Sequence, residues 1–329
     1  MGVAAPSQDS STEEAQKRYH GWLSAGWHAS MTWMERHELF KYDPQALEPT
    51  VQAVLIAALP YAQTPPSPQK QGRVARYAWG RDYHKVFLKK LQAVAHSLSQ
   101  HFPVEHFRAF TDTSPLDERF WAEKAGISFT GRNRLAITDS WGSWFFLGEI
   151  LSSRAFAPTK RPQAAHRQCP SSCRRCWQSC PTGALSEQGL DARRCIAYLT
   201  IEHKGSIPLS LRSQLGDRIF GCDDCQDVCP FNHGVANTTE PEFLAWKAGP
   251  WVDLASVLEI PSEEAFTRQW GGSPLHRAGF SGLRRNACLV AGNLRRFDLL
   301  PQLKKLNSDP DPVVAESALW AIQLLESEQ

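Results

Sequence analysis

The segment Cys169-Pro-Ser-Ser-Cys-Arg-Arg-Cys-Trp-Gln-Ser-Cys-Pro181 and the shorter segment Cys222-Asp-Asp-Cys-Gln-Asp-Val-Cys-Pro230 decide how the centre of this 329-residue chain folds. Both segments end in x3-Cys-Pro. In two-cluster bacterial ferredoxins, the cysteine before the proline ligates the other cluster of the pair. A chain of this length can bury a core without disulfides, so its nine cysteines need another explanation. The spacing predicts a module that folds around two [4Fe–4S] clusters.

If the cysteine before each proline ligates the other cluster, a crossed arrangement, the spacing also predicts which thiols bind which cluster. One cluster would receive Cys169, Cys173, Cys176 and Cys229. The other would receive Cys180, Cys222 and Cys225, and Cys195 is the cysteine close enough along the chain to complete it. Two structural zinc sites are the alternative, since they also use C-x2-C pairs. Cys288, on the apolar face of a C-terminal helical pattern, is interpreted as a packed core thiol.

The chain is predicted to be an α+β multidomain protein. Residues 1–155 alternate helical and strand-like patterns, which predicts an α/β domain. It contains a helix capped by Ser11 and Glu14, strands at Val54–Leu59 and Phe107–Thr111, and a helix over Asp82–Leu98. Residues 156–240 form the double-cluster ferredoxin-like module. In residues 241–329, the stretches 286–294 and 317–325 match at an offset of 31, which predicts paired helices of a HEAT-like repeat.

Charge and hydropathy limit the possible partners and location. The N-terminus is polar, and the longest apolar run falls far short of the ~20 residues needed to cross a bilayer. A cytoplasmic protein with no membrane contact is therefore expected, and in that reducing compartment clustered cysteines are more often metal ligands than disulfides. The formal charge of +2 does not identify a nucleic-acid partner, although basic pairs recur along the chain.

Several further stretches resemble the cobalamin-dependent epoxyqueuosine reductases, a family of tRNA-modifying enzymes. The resemblance runs from about residue 20 to 235. It is carried by Cys180-Pro-Thr-Gly-Ala-Leu185, Leu190-Asp-Ala-Arg-Arg-Cys-Ile-Ala-Tyr-Leu-Thr-Ile-Glu202 and Gly221-Cys-Asp-Asp-Cys-Gln226, and by Arg76-Tyr-Ala-Trp-Gly-Arg-Asp-Tyr-His84, Asp112-Thr-Ser-Pro115, Gly131-Arg-Asn133 and Gly142-Ser-Trp-Phe-Phe-Leu-Gly-Glu149.

The resemblance implies an activity, a cofactor and partners. Epoxyqueuosine at the wobble position of a tRNA anticodon stem-loop would be reduced to queuosine, with two electrons and two protons. Electrons would pass from a low-potential donor such as ferredoxin or flavodoxin through the clusters to a cobalamin held without a histidine ligand. His84 is interpreted as a helix-face residue, since Phe87 replaces the glycine of the corrinoid motif D-x-H-x-x-G. A monomer is expected.

The resemblance also implies roles for individual residues. Asp112 would be the acid that protonates the departing oxygen, which requires burial to raise its pKa. The alternative is that Asp112 caps a helix beginning at Pro115. Cobalamin contacts would come from Ala197, where the family usually has serine, and from Lys204, Ile207 and the backbone of Cys222, Asp223, Asp224 and Cys225. Arg76 and Tyr77 would contact cofactor or RNA.

The C-terminal helices are expected to contact the tRNA backbone through Arg284, Arg285, Arg295 and Arg296. Two other functions remain open at this point. A corrinoid reductive dehalogenase would combine clusters and cobalamin in a similar way. A non-catalytic electron carrier would bind two clusters but no cobalamin.

Overall fold

The computed structural model describes residues 1–159 and 168–327. The strands are β1 (Gly2–Ala4), β2 (Ala53–Pro60), β3 (Gly72–Val74), β4 (Phe107–Phe110), β5 (Phe129–Thr130), β6 (Ala136–Ile137), β7 (Phe145–Ser152), β8 (Arg218–Phe220) and β9 (Trp251–Val252). The helices are α1 (Ser10–Ser24), α2 (Trp33–Arg36), α3 (Pro44–Leu47), α4 (Tyr83–His101), α5 (Glu118–Lys124), α6 (Arg175–Gln178), α7 (Ile196–Ile201), α8 (Leu209–Arg212), α9 (Asp224–Asp227), α10 (Pro241–Leu244), α11 (Leu254–Leu258), α12 (Glu263–Trp270), α13 (Phe280–Asn293), α14 (Leu300–Leu306) and α15 (Pro312–Glu326).

A four-stranded sheet, ordered β1-β2-β7-β4, forms the centre of the N-terminal part. The apolar run predicted as a buried strand is β2, and it pairs along its whole length with the fully buried β7. Each pairing in this sheet is antiparallel. An α/β domain in the strict sense has a parallel sheet, so that label is corrected, whereas a mixture of helices and strands is confirmed.

Helix α4 packs on this sheet, as its apolar spacing predicts. Val86, Phe87 and Leu91 are buried, and burial of each large side chain contributes roughly 2 kcal/mol. Val94, further along the helix, is 36% exposed. Gly148 in β7 permits the close approach, since a Cβ there would lie 2.5 Å from Cδ1 of Leu91.

Two predicted helix starts are corrected. Helix α1 is capped by Asp9, whose carboxylate accepts the Thr12 N–H, so the predicted cap Ser11 lies two residues further on, in the first turn of the helix. Helix α5 begins after Asp117, whose side chain accepts from Phe120 N–H, and not at Pro115. Asp112 therefore caps no helix, and the capping alternative for it is wrong.

A second sheet, ordered β8-β3-β9, joins three distant parts of the chain. Its strands come from the three regions predicted as separate domains, and one core cluster contains Val74, Ile219, Val252 and the C-terminal helices. The boundaries at 155/156 and 240/241 stay predictions. Helices α13 and α15 contain the two matching stretches and pack together, and Cys288 is fully buried between them and the sheet.

In the part of the chain that the structure describes, none of the helices has the length and apolar character needed to span a bilayer.

Candidate active site between the thiol sets and Asp112

The first set of thiols gathers where α6 meets the turn at Pro230. Burial, and the nearby thiols of Cys169, Cys173 and Cys229, raise the pKa of Cys176 to about 11. Burial also raises the pKa of Cys229, although the N–H groups that follow it donate to its sulfur. The N–H of Arg132 donates to Sγ of Cys169 at 3.4 Å. These four thiols are the ones that the crossed spacing predicts for one cluster.

The second set gathers where α7 begins, next to α9. Burial raises the pKa of Cys195, whose sulfur accepts from backbone N–H groups and lies near Cys180. Burial also raises the pKa of Cys225 well above its ordinary value, and the nearby Cys222, Cys195 and, more weakly, Cys176 add to this. Because Cys176 belongs to the first set, the two sets are neighbours. Their role as iron ligands stays a prediction.

The thiols do not form a compact site for one ion. Among residues 1–159 and 168–327, no three His, Cys, Asp or Glu side chains converge closely enough to hold a single metal ion. The grouping of the thiols therefore rests on the pKa shifts that neighbouring thiols cause in one another. Hydrogen bonds from backbone N–H groups to sulfur are one means by which proteins set the potential of an iron–sulfur cluster.

A cavity of about 1130 Å³ lies beside the second thiol set. Its lining includes Cys195 and Ala197, Tyr77 and Asp112, and Arg277. Pockets for drug-sized ligands usually measure about 300–1,000 Å³, so this cavity has room for a larger molecule. None of the first thiol set lines it.

Asp112 projects into the cavity from the turn after β4. Its backbone has φ 51°, a left-handed conformation that is uncommon for a residue with a side chain. Its Oδ2 accepts the Tyr83 hydroxyl at 2.6 Å and lies 3.3 Å from Nε2 of His84. The other ring nitrogen of His84 lies 2.7 Å from Oδ1 of Asp82. A carboxylate, an imidazole and a phenol thus meet at one point of the wall.

Hydrogen bonds hold the pKa of Asp112 low. Burial disfavours its charged form, but hydrogen bonds from His84 and Tyr83 outweigh burial and lower the pKa of Asp112 below its ordinary value. Burial acts against the His84 cation too, yet Asp112 and Asp82 raise the pKa of His84 to about 9. The raised pKa expected for Asp112 depends on burial beside a corrin ring, so it stays a prediction.

A second carboxyl pair lies behind Asp112. The N–H of Asp112 donates to Oε1 of Glu118 at 2.6 Å, and the Ser114 hydroxyl donates to Glu149 in β7. Burial, together with Glu149 and Asp112, raises the pKa of Glu118 well above its ordinary value. Burial raises the pKa of Glu149 to about 7. The pair therefore keeps a proton near neutral pH directly under the loop that carries Asp112.

Two predicted cobalamin contacts, Lys204 and Ile207, are not among the lining residues of the cavity, although Lys204 binds the carbonyls of Ile201 and Arg277, which do line it. Ile207 is fully buried in a core cluster with Leu199, Leu211 and Leu215. The Lys204 ammonium donates to three carbonyl groups at 3.0–3.1 Å, two of which belong to the segment before α13. The structure brings neither side chain to the cavity wall, whereas Tyr77 and Ala197 do line it.

The residues around the second thiol set pair with one another. Asp223 accepts the Arg76 N–H at 2.8 Å, and burial raises the pKa of Asp223 to about 6. Asp224 pairs with Arg218. The Arg76 guanidinium pairs with Asp227 at 2.7 Å. Arg76 therefore supports the cysteine-bearing helix α9 and does not line the cavity.

Most of the arginines expected to contact tRNA form hydrogen bonds or ion pairs within the protein. Arg285 is fully buried, and its guanidinium donates to the carbonyls of Leu199, His203 and Gly205 at 2.6–2.9 Å. Arg284 pairs with Asp309. Arg296 pairs with Asp298 at 2.7 Å. Arg295 is exposed and donates to Gly292 O. For Arg284 and Arg285 the prediction of backbone contacts is wrong, because burial removes them from the surface.

Sequence reasoning missed the partners of Asp112. Tyr83 and His84 stood within a quoted motif, but only the contact across the sheet shows that they bind Asp112. Glu149 ends one of the motifs of the family resemblance and is an acidic residue within an apolar strand, which is costly to bury without a partner. Glu118, in α5, was not singled out by the sequence.

Comparison with known proteins agrees with this geometry. Residues 168–232 match the family model described as a 4Fe-4S double cluster binding domain. Residues 41–113, which include His84 and Asp112, match the model described as epoxyqueuosine reductase QueG, DUF1730. Both matched regions contribute residues to the lining of the cavity, Cys195 from the first and Asp112 from the second.

Whole-chain comparison gives the same result. Epoxyqueuosine reductase of Escherichia coli strain K12 is 37% identical over 95% of this chain and 83% of its own. The relative from Francisella cf. novicida strain Fx1 is 36% identical over 92% of this chain and 87% of its own. A crystal structure of epoxyqueuosine reductase with a tRNA-Tyr epoxyqueuosine-modified stem loop superposes with a TM-score of 0.88, at 29% identity over 98% of this chain and 85% of that one. This chain therefore belongs to the epoxyqueuosine reductase family.

Proposed function

We propose that this chain reduces epoxyqueuosine to queuosine at the wobble position of tRNA. The reaction consumes two electrons and two protons and releases the epoxide oxygen as water. Family membership supports this activity, as does the related enzyme whose structure holds an epoxyqueuosine-modified stem loop. The observation that carries the proposal is the cavity itself, because Cys195 of a cluster-binding module and the Asp112–His84 pair line the same space.

Two [4Fe–4S] clusters would be held by the two thiol sets. The double-cluster family match supports this, and so does the burial of the thiols beside backbone N–H donors. The second set borders the cavity and the first does not. Electrons would therefore pass from the second cluster into the cavity near Cys195. The double-cluster family match favours iron–sulfur clusters over two structural zinc ions.

Cobalamin is the cofactor that we propose for the cavity. The volume suits a ligand larger than a drug-sized molecule, and Tyr77 and Ala197 would contact it. The two ring nitrogens of His84 already face Asp82 and Asp112, which agrees with cobalamin bound without a histidine ligand. Bound cobalamin would supply a metal centre that accepts electrons and is nucleophilic towards an epoxide carbon.

The Asp112–His84 pair would supply the proton. Opening an epoxide leaves an alkoxide, which departs as water only after protonation. His84 carries a proton at neutral pH and touches the carboxylate that faces the cavity, so the pair can deliver a proton through Asp112. Tyr83 fixes the orientation of that carboxylate.

Anaerobic incubation tests this function. The reconstituted protein, cobalamin, a low-potential reductant and epoxyqueuosine-containing tRNA are combined, and the nucleosides are analysed. We expect queuosine, with omission of cobalamin preventing its formation. A protein that binds clusters but no cobalamin would instead be an electron carrier, and one that reduces an organohalide but not the nucleoside would be a dehalogenase. A monomer and a ferredoxin or flavodoxin donor remain predictions.

A further inference from the structure

The two thiol sets differ in their distance from the cavity. Cys195, of the second set, lines it, whereas Cys169, Cys173, Cys176 and Cys229 do not. Cys169 and Cys173 are nevertheless partly exposed to solvent. Cys180, Cys222 and Cys225 of the second set are partly exposed as well, so the first set is taken as the entry point for electrons because it is the set that does not border the cavity. The protein surface beside Cys169 and Cys173 is therefore where a donor would dock.

That surface carries three arginines, two of which contact the ring of a tryptophan. The Arg132 guanidinium lies 5.2 Å from the ring centroid of Trp177, and that of Arg174 lies 4.7 Å from it. Both distances fall within the range of cation–π attraction. Arg175, the next residue, is exposed. We name Arg132, Arg174, Arg175 and Trp177 the arginine–tryptophan face.

The face is tied to the first thiol set. The Arg132 N–H donates to Sγ of Cys169, and its guanidinium donates to Ser171 O at 3.0 Å. The Arg174 guanidinium donates to Ser171 O and, at 3.1 Å, to Cys173 O. The indole N–H of Trp177 donates to Arg132 O at 3.2 Å. Positive charge is thus held in a fixed arrangement on the loop that joins the first two cysteines of the set.

The charge of this face is not cancelled within the described residues. None of its three arginines pairs there with a carboxylate, whereas Arg284 pairs with Asp309 and Arg296 with Asp298. A concentration of unpaired positive charge attracts a partner of opposite charge and accelerates its association. A negatively charged electron donor fits both the positive charge of this face and its position beside the first thiol set.

We propose that the arginine–tryptophan face is the docking surface for a small acidic redox protein that donates electrons one at a time. This rests on the proposed function, since the first thiol set must hold a cluster. In each encounter the donor loses one electron and the cluster beside Cys169 gains it. Two encounters supply the two electrons of one turnover, and the two protons come from the cavity side.

The test compares donors of different charge and size. Wild type and the variant Arg132→Gln/Arg174→Gln/Arg175→Gln, both with two clusters, are mixed with flavodoxin hydroquinone, and cluster bleaching is followed by stopped flow. We expect the second-order rate to fall about tenfold or more in the variant and to lose most of its salt dependence. Reduction by dithionite, a small reductant, should be unchanged. The control Arg268→Gln/Lys304→Gln/Lys305→Gln removes three positive charges elsewhere and should behave as wild type.

Equal rates with flavodoxin in wild type and variant would overturn the proposal. Loss of affinity for the epoxyqueuosine stem-loop with an unchanged flavodoxin rate would also overturn it, and would assign the face to RNA. If the triple variant binds less iron, Arg175→Gln alone decides the matter, since this exposed side chain makes no contact with the thiol loop; its flavodoxin rate should fall about twofold. Failure of dithionite-driven turnover in wild type would instead contradict the proposed function.

Discussion

We propose that two groups of residues lining one cavity, the Cys195 wall and the Asp112 wall, handle electrons and protons separately. On the Cys195 wall, a partly exposed sulfur accepts hydrogen bonds from backbone N–H groups. The Asp112 wall presents a carboxylate, an imidazole and a phenol in hydrogen-bond contact, with two more carboxyls behind them. Sulfur ligands suit electron transfer through iron, and the Asp112 wall suits proton transfer. Reduction of an epoxide to water needs both, and only the cavity brings them within reach of one substrate.

This comparison predicts that a mutation on one wall impairs the function of that wall and leaves the function of the other intact. A change to the thiols should alter iron content and leave the Asp112 wall intact. A change at Asp112 should leave iron in place and slow the chemistry. The following variants, ordered from the largest expected effect to the smallest, test that separation.

Cys195→Ala should remove one cluster and abolish turnover. Because Cys195 is assigned to the second set only, iron should fall from about eight to about four per chain, with the first cluster still visible by electron paramagnetic resonance. Queuosine formation should fall below detection. Cys288→Ala is the matched control, since this buried thiol lies in the C-terminal core and should leave iron unchanged. Unchanged iron in Cys195→Ala would show that the ligand set is wrong.

Asp112→Asn should retain both clusters and cobalamin but lose proton delivery. Asparagine keeps the size of the side chain and can still accept from Tyr83, yet it cannot pass a proton as a carboxyl group does. Epoxide reduction should fall by about 10²-fold or more under single-turnover conditions. Asp43→Asn, at the cap of α3, is the control and should be near wild type, because asparagine caps equally well. Loss of cobalamin from Asp112→Asn would mean that Asp112 acts in binding.

Arg285→Met should destabilise the fold without altering RNA recognition. Methionine fills the space but leaves the carbonyls of Leu199, His203 and Gly205 without their donor. Unsatisfied buried carbonyls should lower the free energy of unfolding in urea by about 2 kcal/mol. Arg268→Met, on an exposed helix face, should change it by less than about 0.5 kcal/mol. Wild-type stability with weakened tRNA binding would restore Arg285 to the RNA interface.

Deprotonation of His84 should lower the stability of the fold at alkaline pH. Its pKa of about 9 lies above the ordinary value of 6.5, so its protonated form stabilises the fold fully below about pH 6.5. That contribution is lost as pH rises through about 9. Since the ring is 38% exposed, screening reduces the effect to about 1 kcal/mol. The alkaline loss should disappear in His84→Gln, measured by thermal unfolding between pH 6 and 10. An identical pH profile in the variant would exclude His84 as the proton carrier.

Features that depend on residues close together in the sequence were predictable, whereas features that depend on contacts between distant residues were not. The double-cluster region was recognised because cysteine spacing is a local property of the chain, and β2 was found because a buried strand is apolar at successive positions. The hydrogen-bond partners of Asp112 were missed because Tyr83 and His84 lie about 28 residues away on α4. Arg285 was misjudged for the same reason, since an arginine is buried only where distant carbonyls receive it.

Retention of cobalamin by Ala197→Trp is the measurement that tests the central claim most directly. Ala197 lines the cavity on the Cys195 wall, and an indole there would occupy space that we assign to the cofactor. After anaerobic reconstitution and gel filtration, cobalamin and iron per chain are measured in wild type, Ala197→Trp and the conservative control Ala197→Ser. We expect wild type and Ala197→Ser to retain about one cobalamin, and Ala197→Trp to retain both clusters but no cobalamin. Full cobalamin retention and undiminished queuosine formation in Ala197→Trp would contradict the claim that the two walls act on one substrate in this cavity.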